Sequence, residues 1–335
     1  MRQIIITRAG PAMTVQDAGR PGHLGQGLSR GGAADPLALA EGAALWGQAG
    51  AAIEMAGTGG VFTVSEPTRI ALTGAPMSAD LDGRALRWNA SHMMPAGGVL
   101  TIGGASAGAY GYVHFGGGID TPLVLGARSA HLSAGLGRVL QSGDKLPLGP
   151  DTGQTTGMGL EVPNRFEGGV LRLVASVQTE AFSAAERARF TDTEFTRDAR
   201  ANRMGMKLSQ AGAAFATDAQ LDVLSEVIVP GDVQMTGDGV PFILLPECQT
   251  TGGYPRIGTV IPCDMPRAAQ AGPGARLRFR FVSRDEALQA ERGLRDHVAG
   301  LRRAIRPLLR DPAQMGDLLG YNLIGGAVCA HQEEE

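Results

Sequence analysis

What constrains this chain most is its punctuation. Apolar runs of four to seven residues recur along it, and glycine, proline, aspartate or asparagine bounds most of them. They include QIIIT (3–7), VFTV (61–64), RIALTG (69–74), VLTI (99–102), YGYVHF (110–115), VLRLVAS (170–176), EVIVPG (226–231), FILL (242–245), GTVI (258–261) and RLRFRFV (276–282). Such runs suit strands better than helices. Their spacing, with turn residues between them, predicts an all-β chain built as antiparallel sandwiches or barrels. Fifty glycines and nineteen prolines supply the turns, and a 43% apolar share keeps the chain out of the disordered class.

Helical signals are few. In DPLALAEGAALWG, Asp35 stands as an N-cap, Pro36 at the first helical position and Gly47 just past the end. SAAERARF has a capping-box spacing from Ser183 to Glu186. Residues 284–310 repeat apolar positions at Leu288, Leu294, Val298, Leu301, Ile305 and Leu308, as an amphipathic helix does, and Pro307 should end it. The 335 residues suffice for about two domains. The Gly/Thr/Pro-rich stretch 151–165 reads as the linker between them. We therefore expect an N-terminal β-barrel domain over 1–150, a second over 166–283, and a helical C-terminal extension over 284–335. The turns PAGGVLTI (95–102) and GPGARLRF (272–279) give the two halves a faint likeness.

Several function classes drop out early. A net charge of −3 gives no reason to expect nucleic acid or an anionic membrane as partner. No apolar stretch reaches the roughly 20 residues of a membrane span. MRQIIITRAG is too polar for a secretion signal, and Cys248, Cys263 and Cys329 make no disulfide framework, so a cytoplasmic setting is expected. The six histidines lack ligand-like spacing, so no metal site is expected. No glycine-rich loop ends in Lys followed by Ser or Thr, so no phosphate loop is expected either.

Two stretches carry chemistry. The first, QTTGGYP (249–255), lies between two apolar runs. Its glycines let backbone N–H groups approach a ligand, and its Gln and Thr add side-chain donors and acceptors. Such a loop can hold an amide or carboxylate oxygen as negative charge develops on it. Gln249, Thr250, Thr251 and Tyr254 are the candidate catalytic residues, with Gly252 and Gly253 shaping the cradle and Gln234 and Arg203 as neighbours. QTTG recurs at 154–157 without flanking strands, so the tetrapeptide alone decides little.

The second stretch, TVQDAGRPGHLGQGLSRGGAADP (14–36), sets Gln16, Asp17, Arg20 and Ser29 among glycines before a helix. Arg20 could pair bidentately with a substrate carboxylate, or instead pair with Asp17 to pin the loop. Arg128 is the second candidate for an anion. His114 reads as a satisfied sheet residue, Cys248 as a small buried thiol, and Lys207 in RMGMKL as structural rather than a biotin-attachment site. Arg302, Arg303, Arg306 and Arg310 make a basic helix face.

Seven motifs in order resemble one family: TVQDAGRPG (14–22), GGAADPLAL (31–39), GARS (126–129), GRVLQSGDKLPLG (137–149), NRMGMKL (202–208), PGDVQMTGDGVP (230–241) and QTTGGYPRIGTVI (249–261) with Asp264 after it. It is the KipA-like family, also called allophanate hydrolase subunit 2 or the biotin-dependent carboxyltransferase family. The resemblance covers about residues 3–282. The family often has Ser-Gly-Ala-Met-Asp where Gly31 to Asp35 stand, and Asp-Arg where Glu247-Cys248 stand.

The resemblance implies cyclophilin-like β-barrels. It implies one component of an ATP-dependent 5-oxoprolinase, which opens the lactam of 5-oxoproline to glutamate. A KipI-like protein and a LamB/YcsF-like protein would be its partners, with ATP bound mainly on a partner. Two alternatives stay open: a carboxyltransferase component acting on urea or a related small amide, and a non-catalytic regulatory partner of a KipI-like protein. In either enzyme the loop at 249–255 would stabilise an imidate-like form of the amide or lactam.

Overall fold

The computed structural model describes residues 2–216 and 224–309. Strands dominate, as the punctuation predicts. In the first half two sheets face each other. One runs, in spatial order, Lys145–Pro147, Gln3–Arg8, Val61–Val64, Leu100–Ala105, Met77–Leu81 and Arg84–Ala85. The other runs Thr14–Gln16, Ala52–Ala56, Tyr110–Phe115, Thr68–Gly74, Ala90–Met94, Met158–Gly159 and Arg306–Pro307. Alternate residues of both, such as Ile4, Ile6, Phe62, Leu72 and Val113, fill the core between them.

In the second half the ring closes. Seven strands form a barrel in the order Gly168–Val174, Arg256–Val260, Asp232–Met235, Pro241–Leu244, Gly205–Ser209, Phe195–Ala201 and Arg276–Phe281. The last strand pairs in parallel with the first, Gly168 opposite Arg276 through Leu173 opposite Phe281. The expectation of a barrel in each half is thus met in closed form by the second. In the first, hydrogen bonding stays within two sheets. The strand Phe195–Ala201 (FTRDARA) escapes a search for apolar runs because it carries Asp198 and Arg200 outward and Arg197 on its buried side.

The first helix, α1 (Pro36–Trp46), has the expected ends. Asp35 Oδ1 accepts from the N–H groups of Leu37 and Ala38 at 3.1 and 3.2 Å, and Gly47 closes it at φ 98°. Helix α2 (Ala184–Asp192) starts where Ser183 Oγ accepts from Glu186 N–H. A short α3 (Met265–Gln270) follows the barrel strand Arg256–Val260. The last, α4 (Arg284–Ala304), is long at 21 residues and opens on a full capping box between Ser283 and Glu286. It buries Ala287 against Ile261 and Val282 at its start, and Leu301 against α1 and Leu160 at its end. Leu288 and Val298, two of its expected apolar positions, stay 44% and 38% exposed. The helix touches the barrel at one end and α1 at the other, and in its middle only one face, Ala290, Glu291, Leu294 and His297, is half-buried.

The stretch 151–165 is tied down along its length. Asp151 pairs with Arg69, Met158–Gly159 joins the second sheet, and Arg165 is buried between Asp35 and Glu41. The expected extension beyond residue 309, with Arg310 and Cys329, lies outside the described residues.

Candidate functional site

The opening of the barrel between Pro241–Leu244 and Arg256–Val260 carries the 249–255 loop. Within it Thr251–Gly252 pairs with Glu226–Val227, and Ile228 N–H donates to the Thr250 carbonyl at 3.1 Å. A cleft of about 490 Å³ lies between this loop and the first half of the chain. Cys248 to Thr251 form one wall, and Gly27 to Ser29 with His131 and Ser133 form the other. The 249–255 and 14–36 stretches, 213 residues apart at their nearest, therefore do meet.

Glu247 holds the walls together. Its Oε2 accepts the N–H groups of Leu132 and Ser133 at 2.8 and 3.3 Å, and its carbonyl accepts Ser133 Oγ–H at 3.1 Å. Its Oε1 accepts Arg203 Nε–H at 2.5 Å. Arg203 also donates to Glu54 and to the Gly32 carbonyl, so all three of its nitrogens are engaged. Burial works against its charge, but Glu54 and Glu247 more than offset this and hold it above its ordinary value. The chain of contacts runs on inward. Glu54 Oε2 accepts Tyr112 O–H at 2.7 Å, Tyr112 accepts Asp35 N–H at 2.8 Å, and Asp35 Oδ2 accepts from Arg165 and Gln270, each at 2.8 Å.

On the cleft wall Ser29 Oγ lies 2.9 Å from His131 Nε2, and His131 Nδ1 lies 3.2 Å from Ser133 Oγ. Ser133 gives its own proton to the Glu247 carbonyl, so it accepts from His131, which carries its proton on Nδ1. Nε2 is then an acceptor for the Ser29 hydroxyl. Burial lowers the His131 pKa against the pull of Glu247, with Arg20 and Arg203 adding to the lowering, so the ring is neutral. Gly31 is needed here. It sits at φ +60°, and a Cβ would stand 2.8 Å from His131 Cδ2. Neither Ser29, His131 nor Ser133 shows a spacing signal in the sequence, because Ser29 and Glu247, which complete the set, come from loops distant from His131 and Ser133.

The other expected residues are placed as follows. Gln249 and Thr251 are exposed and Thr250 half-buried on the cleft wall, with Gly27 across from Thr250. Gly253 and Tyr254 are exposed, outside the lining. Gln234 lies beneath the loop, its Nε2 buried without a partner and 2.8 Å from where a Cβ on Gly252 would stand. Gln16, Asp17, Arg20 and Arg128 are not in the cleft. Asp17 accepts the N–H groups of Gly19 and Arg128, while Arg20 donates to the carbonyls of Val124 and Ser129. The alternative Asp17–Arg20 ion pair does not form, because backbone groups engage both partners. Cys248 is buried and its thiol is pushed up to about 12, first by burial, so it is no nucleophile. His114 is likewise buried, bonded to Thr73 at 2.8 Å and lowered to about 3 by burial. Among the described residues no group of three His, Cys, Asp or Glu could hold a metal ion, and no helix is long and apolar enough to cross a membrane.

Residues 26–281 match the family model described as carboxyltransferase domain, subdomain A and B. The chain belongs to this carboxyltransferase domain family. It is 36% identical to the C subunit of 5-oxoprolinase from Escherichia coli (strain K12) over 295 residues, 85% of this chain and 93% of that one. It is 32% identical to the C subunit of 5-oxoprolinase from Haemophilus influenzae over 299 residues, 87% and 95% of the two chains. Its fold matches the crystal structure of Kluyveromyces lactis urea carboxylase with a TM-score of 0.80 at 20% identity. That match covers 92% of this chain and 31% of that one, so the chain spans about a third of the larger enzyme and shares its fold.

Proposed function

We propose that this carboxyltransferase-family chain is the C subunit of an ATP-dependent 5-oxoprolinase, working with a KipI-like partner and a LamB/YcsF-like partner. The supporting observation is the cleft itself, where the Gln249–Thr251 loop faces a neutral imidazole hydrogen-bonded to a serine. A lactam between these walls would meet donors for its oxygen from the loop. His131, through Ser29, can take a proton from attacking water and return one to the ring nitrogen as it leaves. The cleft lining holds no lysine or arginine, so a triphosphate does not fit there. ATP is therefore assigned to a partner or to an interface, and it would supply the driving force for opening the lactam. The substrate carboxylate is assigned to Arg200, which lines an adjoining lobe that shares Met204, Cys248 and Gln249 with the cleft.

In the enzyme reconstituted from its three components, Gln249→Ala should lower glutamate release about 100-fold, as loss of one positioned donor does, roughly 3 kcal/mol. Folding and assembly of the complex should be unchanged. Wild-type turnover by Gln249→Ala would remove the loop from the site.

The absence of a cation from the cleft lining favours a second reading, carboxyl transfer to a neutral amide such as urea. Purification of the native chain with its partners separates the two. A biotinylated band on a streptavidin blot supports transfer; a KipI-like partner without one, together with ATP-dependent glutamate release, supports the oxoprolinase.

A further inference from the structure

A second cavity, of about 410 Å³, opens on the first half of the chain, next to the cleft but with different walls. Val15, Leu140 and Leu146 make an apolar floor. Its polar lining converges from several segments and is cationic: Arg20, Arg128, Arg138 and Lys145, with no carboxylate among the lining residues. Arg128 and Arg138 have partners outside, Asp120 and Asp144.

Arg20 is different. It is 1% exposed, yet it forms no ion pair with a described residue, and its Nη1 has no hydrogen-bond partner. Arg203 and Arg165, also buried, each lie between two carboxylates. For Arg20, Asp17 and Glu247 act on the charge only from beyond ion-pair distance and do not offset the cost of its burial, and its unpaired donor adds to that cost. Two more polar atoms of this wall are buried and unpartnered, Arg128 Nε and Ser129 Oγ. All three can donate a hydrogen bond. Val124, which also lines the cavity, is 44% exposed. Unpaired donors and excess positive charge above an apolar floor, in a volume usual for small-molecule sites, describe a receptor for an oxyanion on an apolar body.

We propose that this cavity binds a small organic oxyanion, a carboxylate or a phosphate ester carrying an apolar group, at a site separate from the cleft. Arg128 and Ser129 grip the head, Arg20 supplies the buried charge, and the floor takes the apolar part.

The test titrates the full chain with benzoate, with phenyl phosphate and with neutral benzamide, followed by calorimetry and by the arginine Nε–H resonances. At least one anion should saturate and shift the Arg128 Nε–H signal, and benzamide should do neither. Whichever anion saturates names the head group. Arg128→Gln and Ser129→Ala, each with its fold checked by circular dichroism, should each weaken binding on the order of tenfold. Arg20→Gln should abolish it, with its fold checked by circular dichroism because Arg20 ties two loops. No saturable binding of either anion, equal binding of benzamide, or full affinity in both Arg128→Gln and Ser129→Ala would each overturn the proposal. These readouts do not pass through the cleft, so they stand or fall apart from glutamate release.

Discussion

Arg203 shows how a single side chain can hold two halves of a molecule. It comes from the barrel, Glu54 from the second sheet, and Glu247 from the approach to the 249–255 loop. Arg203→Met would leave two buried carboxylates facing each other and should cost about 3–5 kcal/mol of stability in urea denaturation. A loss below about 1 kcal/mol would mean that the pair is solvated in solution. His114 gives a pH dependence of definite sign. Its folded pKa of about 3 lies below the usual 6.5 because burial disfavours the charged ring. The unfolded chain therefore binds the proton first as pH falls. Stability contributed by the neutral ring is full above about pH 6.5 and is lost on descending from there toward about 3, at about 1.4 kcal/mol per unit. His114→Gln should flatten the fall of the urea midpoint between about pH 6 and 4; an unchanged slope would assign the acid sensitivity to other groups.

At the scale of elements, two helix caps look alike in sequence and differ in weight. Ser283 caps α4 at the surface, and Ser283→Ala should cost about 1 kcal/mol. Asp35 caps α1 and also accepts from Arg165 and Gln270 deep in the molecule. Asp35→Ala should cost about 2–4 kcal/mol, since it removes the cap and half of Arg165's counter-charge. Equal losses in thermal melts would show that the buried pair adds nothing. The cap itself was legible because capping is a contact between residues two or three apart. The second role was not, since Arg165 and Gln270 are 130 and 235 residues away.

For the whole molecule the question is whether the halves unfold separately. The barrel core of Phe190, Phe195, Phe215 and Phe279 is continuous with Ala33, Ala38, Ala52, Tyr110 and Tyr112 of the first half. Phe190 stacks on Phe279 with ring centroids 4.8 Å apart. Phe190→Ala should cost about 3–5 kcal/mol and shift one calorimetric transition intact; a split into two transitions would show independent halves. Sequence alone determined the all-β class, the ends of α1, the membership of a family and the loops that carry polar chemistry. These are local properties, set by turn residues, caps and short ordered motifs. Only the tertiary structure decided that Ser29, His131 and Ser133 share one wall, that Glu247 ties it to the other, and that Arg20 and Arg128 line a different cavity from Gln249. Such juxtapositions depend on how closed sheets bring distant loops together, and no period or spacing along the chain records that distance.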